Sequence, residues 1–378
     1  YYGLVTPKGV PEENMKVLGQ NGLIIFVNRP PAQIAQDIAT DARPLMQADP
    51  NRIFQLYEER IALYRKYYDL ELNNAGSMRD AEKELQAIAR LLAQRGELRF
   101  AVIGSPIGHS LSPDIHLPIL RHFYEKISYT RKEIAPGELE SWIDEVKGEN
   151  MRGFNITMPH KKAVMPHLQH IDAEAALLGS VNTVVNDNGS LTGYNTDAEG
   201  FHLALQDKGK NFAGSRVVIL GSGGVAGTLA LKAAKEGVVK ISIAAVDAAE
   251  AQGIAQKLAA FGQPAQVEIT DFEIPTLTAL CKQADLLLNC TPLGMTGMQA
   301  DFTDTSFLQS LSGGAMVCDL VYSPARTTLL KEAEKLGLKT MGGLRMLVYQ
   351  AILADDLFLG FRLNRQKAYA RAVKKLSL

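Results

Sequence analysis

Arg216-Val217-Val218-Ile219-Leu220 leads into Gly221-Ser222-Gly223-Gly224-Val225-Ala226-Gly227, and this order constrains the fold more than any other stretch of the chain. A short apolar run closed by Gly is the pattern of a strand buried on both faces, as in parallel sheets covered by helices. Gly221 and Gly223 permit a tight turn and close approach of the backbone to a pyrophosphate, which the N-terminus of the following helix (Thr228 to Glu236) attracts. A second strand, Lys240 to Val246, completes strand–Gly loop–helix–strand, the context in which a Gly-rich string gains meaning. Asp247 stands 20 residues after Gly227, where a carboxylate can bond ribose hydroxyls and would repel a 2′-phosphate. A helix N-cap explains Asp247 equally well, and the two roles are compatible. The bland alternative for the Gly string is a structural turn.

With 378 residues the chain has room for two or three domains. Its 40 basic and 41 acidic side chains give no electrostatic footprint for nucleic acid or an anionic membrane. Apolar runs are strand-sized, so no membrane span is expected. Cys281, Cys290 and Cys318 show neither a paired framework nor metal-ligand spacing, which favours a reducing cytoplasm and no metal. No signal peptide is expected from Tyr1-Tyr2-Gly3, and the lack of an initiator Met is compatible with a cut from a longer polypeptide. Pattern changes divide the chain into residues 1–97, 98–198, 199–343 and 344–378. The first part reads as a strand at Leu23 to Val27 followed by helices at Arg52 to Tyr67 and Met78 to Gln94. A new α/β unit begins with the strand at Leu98 to Gly104, and the last stretch is largely helical.

Two polar clusters resist explanation as packing: Asn155-Ile156-Thr157-Met158-Pro159-His160-Lys161 and Asn195-Thr196-Asp197. Asn155 and Thr157, two apart on a short strand, point to one face. Lys161 follows in a loop, where residues serve chemistry. A Lys and an Asp from separate segments, each beside Asn and Thr, suit proton transfer to a small polyol. Ser110 and Ser112, near a helix start, suit a carboxylate, though an ordinary N-cap fits that segment taken alone.

Residues 109–116, 153–161, 179–183, 193–197, 289–295, 319–322 and 346–350 occur in one order, and together they resemble the shikimate dehydrogenase family over residues 99 to about 375. The resemblance implies a substrate domain and a Rossmann-like domain flanking a cleft, with NADP-dependent interconversion of shikimate and 3-dehydroshikimate. It implies Lys161 and Asp197 as the catalytic pair. Ser110 and Ser112 would hold the carboxylate, Thr157, Asn182 and Gln350 the hydroxyls, Asn155 would also bind substrate, and Tyr322 would line the pocket. Gly221, Ser222, Gly223, Gly224, Val225, Ala226, Asp247, Thr291, Pro292, Gly343 and Met346 would face the cofactor. His109 and His160 read as structural or cleft-lining.

The family usually carries Asn-Arg-Thr or Asn-Arg-Ser after the second Rossmann strand, with the Arg gripping the NADP 2′-phosphate. Here Ala245-Val246-Asp247 occupies those positions, and Glu250 stands where another Arg is common. The cofactor expectation is therefore NADP or NAD, with NAD used at least as well. A quinate or dual quinate/shikimate dehydrogenase is the second enzyme reading, although Ser112 favours shikimate. A non-catalytic shikimate-binding scaffold is the reading from another class. A small acid is the only partner the sequence implies, and a homodimer is compatible with it.

Residues 12–68 are similar to the C-terminal half of a shikimate kinase, carried by Glu13-Asn14-Met15, the strand at Leu23 to Val27, Arg43-Pro44-Leu45 and Glu59-Arg60-Ile61-Ala62-Leu63-Tyr64. Family roles would make Arg60 a shikimate-binding residue and Arg43 a lid residue. The chain has no Walker A string, and Pro7-Lys8-Gly9 replaces an expected Gly triplet. A truncated kinase tail packed on the dehydrogenase, or the remnant of a longer fusion, is expected. An unrelated helical extension used for dimerisation is the alternative.

Overall fold

The computed structural model describes residues 12–37, 52–149, 151–260 and 265–376. Arg43 and the segment around Lys8 lie outside these. The chain folds as two units. One comprises residues up to Phe100 with Leu111–Thr130 and Ala354–Leu378; the other comprises Ala101–Ser110 and Arg131–Leu353.

In the first unit, strands β1 (Ile25–Asn28) and β2 (Leu70–Asn73) pair in parallel, and β15 (Arg362–Leu363) adds antiparallel to β2, giving the order β1-β2-β15. The helix Arg52–Tyr67 forms where predicted. The helix Met78–Ala93 starts at a reciprocal cap, in which the Ser77 side chain accepts from the Asp80 N–H while Asp80 accepts from the Ser77 N–H. That cap satisfies two of the donors left over at a helix start. The same helix buries Ala81, Ala87, Ile88 and Leu91, one stripe at helical spacing.

The C-terminal helix Arg365–Lys375 is tied to the early part of this unit. Asn364, its N-cap, donates from Nδ2 to the carbonyls of Arg65 (3.0 Å) and Tyr68 (2.9 Å), next to the end of the helix Arg52–Tyr67. Asp69 is only 3% exposed and accepts from the Ile24 N–H at 3.0 Å, Lys367 Nζ at 3.0 Å and His122 Nε2 at 3.2 Å, with Arg371 at 3.5 Å. A buried carboxylate is tolerated only when its oxygens are satisfied in this way.

The second unit holds two sheets. In the first, β3 (Leu98–Gly104) and β4 (Ile127–Glu133) continue from the first unit. β5 (Met151–Ile156) pairs antiparallel with β7 (Thr183–Asp187), which pairs antiparallel with β8 (Ser190–Tyr194). β6 (His170–Ile171) runs parallel to β8, and the whole order is β4-β3-β5-β7-β8-β6. Phe154, fully buried, meets Trp142 edge-on at 4.8 Å in the core beneath this sheet. Burying one such side chain contributes about 1.5–3 kcal/mol.

The other sheet is parallel throughout, in the order β11-β10-β9-β12-β13-β14: Gln266–Thr270, Lys240–Ala244, Arg216–Leu220, Leu286–Asn289, Met316–Asp319 and Lys339–Gly342. Along the chain this is strand order 3-2-1-4-5-6, the doubly wound arrangement that places a crevice where the order reverses, at the carboxyl ends of β9 and β12. The sequence pattern carries β10 on to Val246. The strand ends at Ala244 instead, and Val246 is 92% exposed because the chain has left the sheet. The helix after β9 begins at Gly224 rather than Thr228. Its first turn needs no side-chain propensity, since the leading N–H groups are unpaired within the helix. Among the described residues no helix is long and apolar enough to cross a membrane.

Candidate active site

Lys161 lies in the short helix His160–Ala163 that follows β5, and Asp197 opens the helix Asp197–Asp207 that follows β8. The backbone brings these segments together: the Val181 N–H donates to the Lys161 carbonyl at 2.8 Å, and the Asn182 N–H to the Tyr194 carbonyl at 3.0 Å. Lys161 Nζ then reaches Asp197 Oδ2 at 2.6 Å. The lysine side chain is 26% exposed and the aspartate side chain 13%, so the pair faces an opening rather than the core. Asn195 aims the aspartate, its Oδ1 accepting from the Asp197 N–H at 3.0 Å while its Nδ2 donates to the Ser180 carbonyl at 2.9 Å.

Asn182 organises the rest. Its amide group donates to Asp197 Oδ1 at 2.9 Å and Thr196 Oγ1 at 3.0 Å, and a longer contact of 3.4 Å reaches Gln350 Oε1. Two amide hydrogens face three acceptors, so the long Gln350 contact is the weakest of the three. Asn182 Oδ1 accepts from the Thr196 N–H and from the Thr183 hydroxyl, each at 2.9 Å. Asn155 is 5% exposed and spends its amide on Thr183 Oγ1 at 3.0 Å and on the Asn182 carbonyl at 3.3 Å. The structure thus joins Lys161, Asp197, Asn182, Gln350 and Asn155 in one network. It adds Thr183 and Thr196, to which the sequence alone assigns no role. Thr196 carries a signal, sitting beside Asp197 in a polar cluster; Thr183 has only its place after Asn182.

Thr157 follows β5, its N–H bonded to the Ile103 carbonyl at 2.9 Å and its methyl packed over Gly104. Ser110 gives its carbonyl to Arg131 Nε at 2.6 Å. Tyr322 is 37% exposed. Ser112 belongs to the other unit, where it opens the helix Ser112–Leu120 and is 9% exposed. His160 is 1% exposed and bonds the Ile134 carbonyl at 2.6 Å, a structural role.

The nucleotide loop lies at the carboxyl end of β9, where the strand order reverses. Gly221 has φ of 96°, and a Cβ there would stand 2.9 Å from the Thr291 methyl on the neighbouring β12 loop, so both its conformation and its surroundings exclude a side chain. Gly223 is the N-cap position, and Gly224, Val225 and Ala226 form the first turn. On the facing loop, Asn289 Oδ1 accepts from the Thr291 N–H (3.0 Å) and hydroxyl (2.6 Å), while Asn289 Nδ2 donates to buried Asp319 at 2.9 Å. Burial pushes the Asp319 carboxyl up, against hydrogen bonds from Thr327, the Val321 N–H and Asn289 that favour its charge. Pro292 follows on that loop. Gly343 starts the helix Gly343–Leu359, and a Cβ on it would collide with the Leu320 carbonyl oxygen. Met346, 9% exposed, lies on the first turn of that helix.

Asp247 caps the next helix, Ala248–Ala260: its Oδ1 accepts from the Glu250 N–H at 2.9 Å. Glu250 accepts from the Ser222 hydroxyl at 2.8 Å and lines a cleft of about 290 Å³ with Ser222, Gly223, Gly224, Lys162 and Lys257. Backbone donors at a helix start, a turn at Gly221 that admits no side chain and a neighbouring cleft fit a dinucleotide.

Comparison with known proteins supports the same reading. The profile of the shikimate dehydrogenase substrate binding domain matches residues 102–184, that of the saccharopine dehydrogenase NADP binding domain matches 217–333, and that of shikimate kinase matches 9–100. The chain is 38% identical over 257 residues to a protein of Alkaliphilus oremlandii named shikimate dehydrogenase (NADP(+)), covering 68% of this chain and 90% of that one. It superposes with TM-score 0.67 and 30% identity on shikimate 5-dehydrogenase from Listeria monocytogenes in complex with shikimate and NAD, covering 73% of this chain and 97% of that one. Quinate dehydrogenase from Corynebacterium glutamicum in complex with NAD gives 0.65 and 31%, with 75% and 100% covered. The substrate sheet, the 3-2-1-4-5-6 nucleotide sheet and these likenesses agree, and the chain belongs to the shikimate dehydrogenase family.

Proposed function

We propose that this chain interconverts 3-dehydroshikimate and shikimate, using NAD(H) at least as well as NADP(H). The observation that carries the first part is the 2.6 Å contact between Lys161 Nζ and Asp197 Oδ2 within a network of neutral hydrogen-bonding groups. The nicotinamide cofactor, when bound at the Gly221–Ala226 loop, supplies or accepts the hydride. Lys161 gives the proton that the carbonyl oxygen needs on reduction and takes it back on oxidation. Asp197 holds the ammonium in place through Oδ2, while Asn182 fixes Oδ1. Asn182 and Gln350 orient ring hydroxyls, Ser110 and Ser112 hold the carboxylate, and Tyr322 lines the entrance.

The cofactor preference rests on Asp247 and Glu250. Neither position carries a cation to pair with a 2′-phosphate, and Glu250 is bonded to the nucleotide loop through Ser222. The relatives named NADP(+) enzymes and the relatives solved with NAD leave both cofactors within the family's range. The deciding experiment measures kcat/KM for shikimate and for quinate with each cofactor. Comparable or better values with NAD support the reading; a hundredfold NADP preference refutes the cofactor assignment, and a quinate preference reassigns the substrate.

The segment before β3 is read as shikimate kinase-like, a kinase tail that packs on the dehydrogenase or belongs to a longer fusion. Its two parallel strands are completed by β15 from the far end of the chain, and its helix Arg52–Tyr67 is tied to Asn364.

A further inference from the structure

Ser112 is not alone in its unit. Its side chain is hydrogen-bonded to the phenol of Tyr129, which is 5% exposed on β4. The Tyr129 ring stacks on His116 with centroids 4.5 Å apart and planes 11° from parallel, and Phe100 stacks near it at 6.4 Å and 20°. His116 is itself held, its Nδ1 lying 2.6 Å from Asp355 Oδ1 with both side chains fully buried. The phenol therefore cannot swing away from Ser112 without unpacking two aromatic contacts.

A serine hydroxyl has one proton, and a carboxylate can only accept. For Ser112 to hold a carboxylate it must donate to it, so its bond with Tyr129 must run the other way, with Tyr129 donating to Ser112 Oγ. We propose that Tyr129 is a positioning residue that fixes the Ser112 hydroxyl as a donor to the carboxylate of the substrate. Burial, reinforced by the Asp355 charge and opposed by the Ser112 hydrogen bond, pushes the Tyr129 phenol well above its ordinary range, so it keeps the proton that it can donate. Consecutive hydrogen bonds of this kind polarise one another, which strengthens the grip on an anion. His116 and Asp355 act one step further back, by holding the ring.

The inference rests on the reading of Ser112 as a carboxylate ligand, and a double-mutant cycle separates the two. Tyr129→Phe keeps the stacked ring and removes only the donor. It is expected to raise KM for shikimate by about three- to tenfold, the order for one lost neutral hydrogen bond, with kcat within about twofold, cofactor KM unchanged and the thermal midpoint close to the parent. Ser112→Ala is expected to raise KM at least as much, and the double variant to match Ser112→Ala alone, because Tyr129 acts only through Ser112. An unchanged KM in Ser112→Ala removes the parent reading and this inference with it. A raised KM in Ser112→Ala with an unchanged KM in Tyr129→Phe, or additive effects in the double variant, overturns the positioning role alone.

Discussion

Replacing Asp69 by Asn removes one charge from the buried cluster that ties the C-terminal helix to β2 while keeping the side chain's shape. Burial opposes the Asp69 charge, yet the hydrogen bonds from His122, the Ile24 N–H and Lys367, together with the Lys367 charge, outweigh it and hold the carboxyl well below its usual range. The neutral amide would leave Lys367 and Arg371 without their shared carboxylate, although Lys367 retains the Tyr67 carbonyl at 2.5 Å. Removing one partner of a fully buried pair costs about 3–5 kcal/mol. Here the two cations keep 30% and 25% of their side-chain exposure, which lowers the expectation to about 2–3 kcal/mol. For a unit of this size that is a drop of roughly 4–12 °C in Tm. The sign with pH follows from the depressed folded-state value: the contribution is fully present above the unfolded carboxylate range, near pH 4, and is lost as pH falls through the folded value. Calorimetric Tm values of parent and Asp69→Asn, taken from pH 7 downward, should differ at neutral pH and converge in acid. Equal Tm values at pH 7, or a gap that stays constant or widens below pH 4, would refute the reasoning.

Two further substitutions test the site. Lys161→Ala should lower kcat by about 10²–10⁴-fold in steady-state assays while shikimate still binds in a thermal-shift titration; retained turnover would remove Lys161 from proton transfer. Gly200→Ala would place a Cβ 2.7 Å from the Gln350 N and 2.8 Å from its Cα, so the helix carrying Gln350 must shift. A stability loss of about 1–3 kcal/mol with a raised shikimate KM is expected in denaturant titration and kinetics, and an unchanged KM would show that Gln350 tolerates the displacement.

The parts of the fold legible in the sequence are those whose cause is local. The run Val217 to Leu220 had to be a strand buried on both faces, and the Gly string after it had to be a turn into a helix. The polar clusters around Lys161 and Asp197 stand out because their residue types are poor packing material, and the two side chains do meet. Less legible are features whose partners lie far away. Asp69 reads as an ordinary acid after a helix, since Lys367 is 298 residues off in sequence. β15 has two residues and carries no alternation to detect; it exists because β2 offers it an edge. Asn155 illustrates a different limit. Strand periodicity places it on the face of the site, but only the structure shows its amide already committed to Thr183 and the Asn182 carbonyl.

The late arrival of β15, Asn364, Lys367 and Arg371 has a consequence for synthesis on the ribosome. Chains emerge at about 5–20 residues per second, and early domains ordinarily fold as they appear. Here the strand that completes the β1–β2 sheet, the side chain that caps the carbonyls of Arg65 and Tyr68, and the cations that pair with Asp69 are made nearly 300 residues after the groups they meet. Until that stretch is made, β2 lacks its second neighbour and Asp69 lacks Lys367 and Arg371. A ribosome stalled before Lys367 would hold a chain whose nucleotide-sheet strands are all made while Asp69 still lacks both of its cations.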